Sequence, residues 1–189
     1  MPATADELRR VALELFASSG YHATSLQHIA EVAGVSKASV LYHFASKELL
    51  LEAALSPAID RLGEILDGAS GLAGDDRVRF LEGMVDVLLE HRLAVGIFVT
   101  QSVALVDIPI VERANAFIER IAAFFQANVD SPEEKMRFGI ALGGTAYLLA
   151  QSSHLDDFPG DEIVRPILIS IIGELVTAPS TTTSTTKVS

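Results

Sequence analysis

The sequence predicts an all-α chain, with an N-terminal three-helix unit built on a helix-turn-helix and a larger helical domain behind it. Three observations lead there. Apolar residues recur at helical spacing along most of the chain, and no alternating run bounded by turn residues requires a strand. Cap residues stand directly before the apolar-periodic segments, at Thr24-Ser25, Ser36, Ser46 and Asp130-Ser131. Glycines stand where helices must stop, at Gly20 and Gly34.

The first helix is expected over residues 4–19. Leu8, Val11, Ala12, Leu15 and Phe16 fall at i, i+3, i+4, i+7 and i+8, the spacing of a core-facing stripe. Thr24 and Ser25 can cap the second helix, in which Leu26, Ile29, Ala30 and Ala33 form one apolar face. Gly34 sits where a left-handed residue ends that helix without a Cβ penalty. Ser36 then caps a third helix whose inward residues are Val35, Val40 and Phe44. Lys37, Ser39, Tyr42 and His43 point outward, and all four can donate hydrogen bonds to phosphates or base edges. Two short helices with a tight Ala33-Gly34-Val35-Ser36 turn form a helix-turn-helix, whose second helix is shaped for the major groove of DNA. Two helices alone cannot bury a core, so the leading helix completes the unit.

These residues resemble the DNA-binding domain of the tetracycline-repressor (TetR) family of bacterial transcription regulators. The likeness is carried by Phe16, Gly20-Tyr21, Thr24-Ser25, Ile29-Ala30, Ala33-Gly34-Val35-Ser36, Val40, Tyr42-His43-Phe44, Ser46-Lys47-Glu48 and Leu49, with no gap. Family members often carry two consecutive tyrosines in the third helix, where this chain has Leu41-Tyr42. Leu41 offers an apolar contact to a thymine methyl in place of one phosphate contact. On this reading Lys37, Ser39, Tyr42 and His43 enter the major groove, and Thr24, Ser25, Ser36 and Lys47 hold phosphates. The resemblance itself implies a phosphate contact for His43.

The second domain is expected over 47–177, after a DNA-binding domain at 1–46. Pro57 predicts a kink or break in its first long helix. A glycine-rich loop at 68–74 precedes a helix over about 75–91, with Val78, Leu81, Val85, Leu88 and Leu89 on one face. A short apolar helix over 94–105 follows. Asp107-Ile108-Pro109 starts the next helix, with Val111, Ala114, Ile118, Ile121 and Phe125 spaced for burial. Asp130-Ser131-Pro132-Glu133 starts another, running to about residue 154. After a turn at 156–160, the last helix spans about 161–176. The serine- and threonine-rich tail at 178–189 has no apolar pattern and is expected to be disordered.

The last two helices are apolar on more than one side, so each needs cover on more than one side. A second subunit can supply that cover, with Gly139 and Gly143 allowing close helix approach and Leu168 and Ile172 at the interface. The resemblance implies the same arrangement, since the family dimerises through its last two long helices as a four-helix bundle. It also implies a pocket for a small molecule whose binding changes the spacing of the two DNA-binding heads. Thr100, Gln101, Asn115, Tyr147, Gln151 and His154 are polar residues within apolar helices and are the candidates for that pocket, together with Phe98 and Phe117. Each has a plainer reading as a satisfied polar or aromatic core residue. The lining suits a largely apolar effector.

Other chemistry is weakly supplied. The 189 residues contain no cysteine, which excludes a disulfide framework, a thiolate metal site and a cysteine nucleophile. His22, His28, His43, His91 and His154 lack acid–histidine spacing, so no metal is expected and no cofactor is implied. Neither G-x-S-x-G nor G-x-x-x-x-G-K-[ST] occurs, and an enzyme is not expected. The chain shows no long uncharged apolar stretch and no opening signal segment, which predicts a soluble cytoplasmic protein with no membrane partner. Its net charge is −11. Residues 1–55 hold four basic against six acidic side chains, and the remaining residues hold ten against nineteen, so most of the acid lies away from the helix-turn-helix. Few phosphate contacts per subunit are expected, with specific binding leaning on two heads in one homodimer. The expected function is a ligand-responsive repressor on a palindromic operator in double-stranded DNA. The alternatives are an activator, a ligand-blind DNA binder, or a helical module that binds protein.

Overall fold

The computed structural model describes residues 4–152, 155 and 157–177. Every regular element among them is helical, in the order α1 Ala5–Ser19, α2 Leu26–Val32, α3 Lys37–His43, α4 Lys47–Gly68, α5 Gly74–Glu90, α6 Arg92–Gln101, α7 Pro109–Asn128, α8 Pro132–Gln151 and α9 Asp161–Thr177. A short 3₁₀ turn, Ser102–Leu105, links α6 to α7. The sequence expectation of an all-α fold holds through each of these elements. The tail at 178–189 and the candidate His154 lie outside the described residues.

The helix starts are explained by their caps. Side-chain oxygens of Thr4, Ser25, Ser36 and Ser46 accept from the amides of Glu7, His28, Ser39 and Leu49, each satisfying a first-turn N–H that has no helical partner. Gly34 has φ +69°, the left-handed value that its place behind α2 requires. Pro57 does not break α4: the helix runs through it, without the hydrogen bond that a proline nitrogen cannot donate.

Two apolar cores form, and α4 contributes to both. The first gathers Leu8, Phe16, Tyr21, Ile29 and Val40 from the N-terminal helices. It also takes Leu50, Leu51 and Leu55 from α4, Ile97 from α6, and Ile110 and Val111 from α7. Packing therefore crosses residue 46, and the first turns of α4 belong physically to the N-terminal unit. The second core joins α5, α7, α8 and α9 around Phe80, Met84, Leu88, Phe138, Leu149, Leu168 and Ile172. Among the described residues no single helix is long and apolar enough to cross a membrane. The α6–3₁₀ segment and α7 reach that length and composition only as a pair bent by 115°.

Candidate nucleic-acid interface and effector cavity

α3 is held from behind and open in front. Val40 is fully buried beneath it, and Ser36 fixes its first turn. On the far side Lys37, Leu41, Tyr42 and His43 are exposed, while Ser39 is half-buried. Tyr42 is 86% exposed, and its ring makes an edge contact only with the adjacent His43 ring, with centroids 5.3 Å apart. Its ring and hydroxyl are therefore free to contact another molecule, which makes Tyr42 a candidate contact residue.

The four residues expected to hold phosphates separate into two pairs. Ser25 and Ser36 are exposed N-caps, and each hydroxyl, while accepting from the helix, keeps a proton to donate outward. Thr24 and Lys47 face inward instead, which corrects the expectation for both. Thr24 is 1% exposed, and its hydroxyl donates to the Gly20 carbonyl at 2.8 Å, with the Leu15 carbonyl 3.3 Å away. The Lys47 ammonium donates to the carbonyls of Tyr21 and Thr24 and sits 4.1 Å from the centroid of the Tyr21 ring. Tyr21 in turn donates its hydroxyl to Glu48 at 3.1 Å. Burial, reinforced by the Glu48 carboxylate, pushes the Tyr21 hydroxyl far above the usual tyrosine range. Glu48 itself is held below the ordinary carboxylate range, chiefly by its own backbone N–H and then by the Ser46 hydroxyl. Lys47, Tyr21 and Glu48 thus tie the α1–α2 connection to the start of α4.

A second tie reaches the C-terminal region through Gln101, at the end of α6. Its Oε1 accepts from the Tyr21 amide at 2.9 Å, and its Nε2 donates to the Phe16 carbonyl at 2.8 Å. One side-chain amide therefore grips both sides of the turn that follows α1. His22 adds a 2.8 Å contact between its Nε2 and the Ala104 carbonyl in the 3₁₀ turn.

Behind these ties lies an apolar cavity of about 610 Å³, within the range of small-molecule sites. α4 to α8 all contribute to its wall. Phe98 and Phe117 line it, as expected from sequence. Five other candidates do not. Gln101 is spent on the clamp just described. Tyr147 is 57% exposed on the outer side of α8, where Gln151 donates to its hydroxyl at 3.3 Å. Thr100 bonds the Gly96 carbonyl one turn back, and Asn115 is exposed on α7. These residues were indistinguishable in sequence because a polar residue in an apolar helix satisfies itself equally well on either side.

The apolar outer surface of α8 and α9 also corrects two expected interface residues. Leu168 and Ile172 are 5% and 1% exposed and pack within the protomer's own core. The outward residues of α9 are Ile163, Ile167 and Ile171, each about half exposed. On α8 they are Met136, Ile140, Tyr147 and Leu148; Gly139 and Gly143 are also exposed, but both line the apolar cavity.

Comparison with known proteins agrees with this geometry. Residues 8–54 match the family of bacterial regulatory proteins, tetR family. The chain is 51% identical over 49 residues to the HTH-type transcriptional regulator RutR of Escherichia coli K12, a match covering 26% of this chain and 23% of that protein. It is 34% identical over 109 residues to the HTH-type transcriptional repressor KstR2 of Mycolicibacterium smegmatis, covering 55% of this chain and 52% of that protein. The matches thus span between a quarter and about half the length of these curated relatives. Among solved structures, SCO3833 of Streptomyces coelicolor A3, a member of the TetR transcriptional regulator family, superposes with a TM-score of 0.68 at 26% identity, covering 94% of this chain and 90% of that one.

Proposed function

We propose that this chain, which belongs to the tetR family of bacterial regulators through its N-terminal domain, is a homodimeric repressor that a small, largely apolar effector releases from its operator. The observation that carries the reading is the Gln101 clamp. It joins the domain that presents Tyr42 to a helix that also lines the cavity, through Phe98.

The steps follow from the contacts. α3 enters the major groove, with Lys37, Leu41, Tyr42 and His43 at base edges and phosphates, and Ser25 and Ser36 donating to the flanking backbone. Two copies meet through the exposed isoleucines of α8 and α9. An isologous interface of that kind sets two heads on a two-fold axis, which requires a palindromic operator. Filling the cavity displaces α6 or α7. Gln101 and the shared core at Ile97 and Ile110 carry that displacement to the turn after α1 and hence to the heads. By linkage, an effector that prefers the displaced form lowers operator affinity, and operator binding lowers effector affinity by the same factor.

The acidic balance of the chain favours a second reading, in which the helix-turn-helix binds protein. Affinity for selected genomic DNA measured against salt separates the two. A protein that neutralises phosphates loses affinity steeply as salt rises, with a slope set by the number of contacts. A flat response with no retained fragment supports the protein-binding module and overturns the repressor.

A further inference from the structure

The cavity is apolar along its length except at one end. Its wall follows α7 from Ile110 to Gln126, sixteen steps along the helix, or roughly 24 Å at the helical rise per residue. Along α8 it follows Lys135, Phe138, Gly139, Leu142, Gly143 and Ala146, one face of the helix at three- and four-residue spacing. Gln126 belongs to the last turn of α7 and Lys135 to the first turn of α8, so both polar residues of the lining belong to the end joined by the α7–α8 connection. The opposite end, at Leu55, Phe98 and Ile110, abuts the core shared with the N-terminal unit.

Lys135 is half-buried, and among the described residues its ammonium has neither an ion pair nor a hydrogen-bond acceptor. The two carboxylates nearest to it in sequence are committed elsewhere. Glu133 accepts from Arg137 at 2.7 Å, and Glu134 faces Arg77 at 3.8 Å. A neutral apolar ligand filling the cavity would strip water from this ammonium and give nothing back, which is costly. A ligand ending in an anion would replace that water with a charge-assisted hydrogen bond, and the Gln126 amide could add a second donor.

Building on the cavity as an effector site, we infer that the effector is an amphipathic monoanion. It has an elongated apolar body lying toward Phe98 and a terminal carboxylate held by Lys135 and Gln126. A free carboxylate fits better than a multiply charged head because Lys135 is the one cation in the lining among the described residues.

The test uses the full chain and Nile red, a neutral apolar dye whose emission reports cavity occupancy. Hexadecanoate and hexadecanol, alike in length and different in charge, compete against it below their aggregation concentrations. A hydrogen bond to a charged group predicts that the acid displaces the dye about tenfold better than the alcohol. Lys135→Gln should erase that preference, and Lys135→Glu should transfer it to hexadecylammonium, with dye binding retained in both. If either variant fails to fold, the wild-type comparison still decides. Dye binding with a preference below threefold overturns the carboxylate assignment and leaves the apolar cavity standing as an effector site. Absence of binding by the dye and by all three competitors overturns the effector-cavity reading, and the carboxylate assignment with it.

Discussion

Replacing Gln101 by leucine removes the clamp while keeping the side chain's bulk. Two hydrogen bonds are lost, from the Tyr21 amide at 2.9 Å and to the Phe16 carbonyl at 2.8 Å. The Phe16 carbonyl retains the Gly20 amide as a donor at 3.1 Å, whereas the Tyr21 amide is left facing an apolar side chain. Two such bonds contribute about 1 kcal/mol each, so the turn after α1 should be loosened by about 2 kcal/mol. That is roughly a thirtyfold rise in the population in which the turn has let go of α6. Amide hydrogen exchange at Tyr21 reads this directly, and protection there should fall by about that factor. Gln101→Glu should fall between wild type and Gln101→Leu, since a carboxylate can accept from Tyr21 but cannot donate to Phe16. The cavity wall itself stays intact in this variant, because Gln101 does not line it. Unchanged Tyr21 protection in the leucine variant would refute the clamp. Full effector control of operator binding in the same variant would refute it as the route of coupling.

Three other perturbations probe the remaining contacts. Tyr42→Ala should leave stability to denaturant within about 0.5 kcal/mol, since the residue is almost fully exposed, while operator affinity measured by fluorescence anisotropy drops; a large loss of stability would show that Tyr42 packs rather than recognises. Lys37→Met should reduce the salt slope of DNA binding by about one contact, whereas Lys47→Met should leave that slope unchanged and lower the melting temperature, because Lys47 is spent on internal carbonyls and the Tyr21 ring; the opposite assignment of the two effects would sink the correction made for Lys47. Ile140→Glu combined with Ile167→Glu should give a folded monomer by sedimentation, as both side chains face outward from α8 and α9; a persistent dimer would place the interface elsewhere.

What the sequence reveals and what it hides divide along physical lines. Caps and turns are local, so Ser25, Ser36, Ser46 and Gly34 could be placed from spacing alone, and each does what its neighbours require. The outward side of α3 is legible at Lys37, Tyr42 and His43, because Val40 is the buried residue of that short helix, whereas Ser39, expected outward, is half-buried. Thr24 misleads, because its hydroxyl can turn toward α1 carbonyls that are distant from a cap in function yet close in space. Lys47 misleads for the same reason, its acceptors lying more than twenty residues earlier. The phase of α8 and α9 is hidden for another reason. Both helices are apolar nearly all round, so periodicity cannot tell Leu168 and Ile172 from Ile167 and Ile171, and only packing against α5 and α8 decides. Gln101 shows the limit most clearly: a polar residue at the end of an apolar helix is visible, but that it reaches Phe16 and Tyr21 is not.

The measurement that bears most directly on the whole account is selection of bound fragments from sheared genomic DNA at low salt, followed by footprinting of the enriched fragment with the full chain. The account predicts one protected palindrome with two half-sites about one helical turn apart, or a little more, read by two α3 helices across a two-fold axis. Recovery of fragments no different from bulk DNA, with no protected site, would contradict it and leave the helix-turn-helix as a surface for protein.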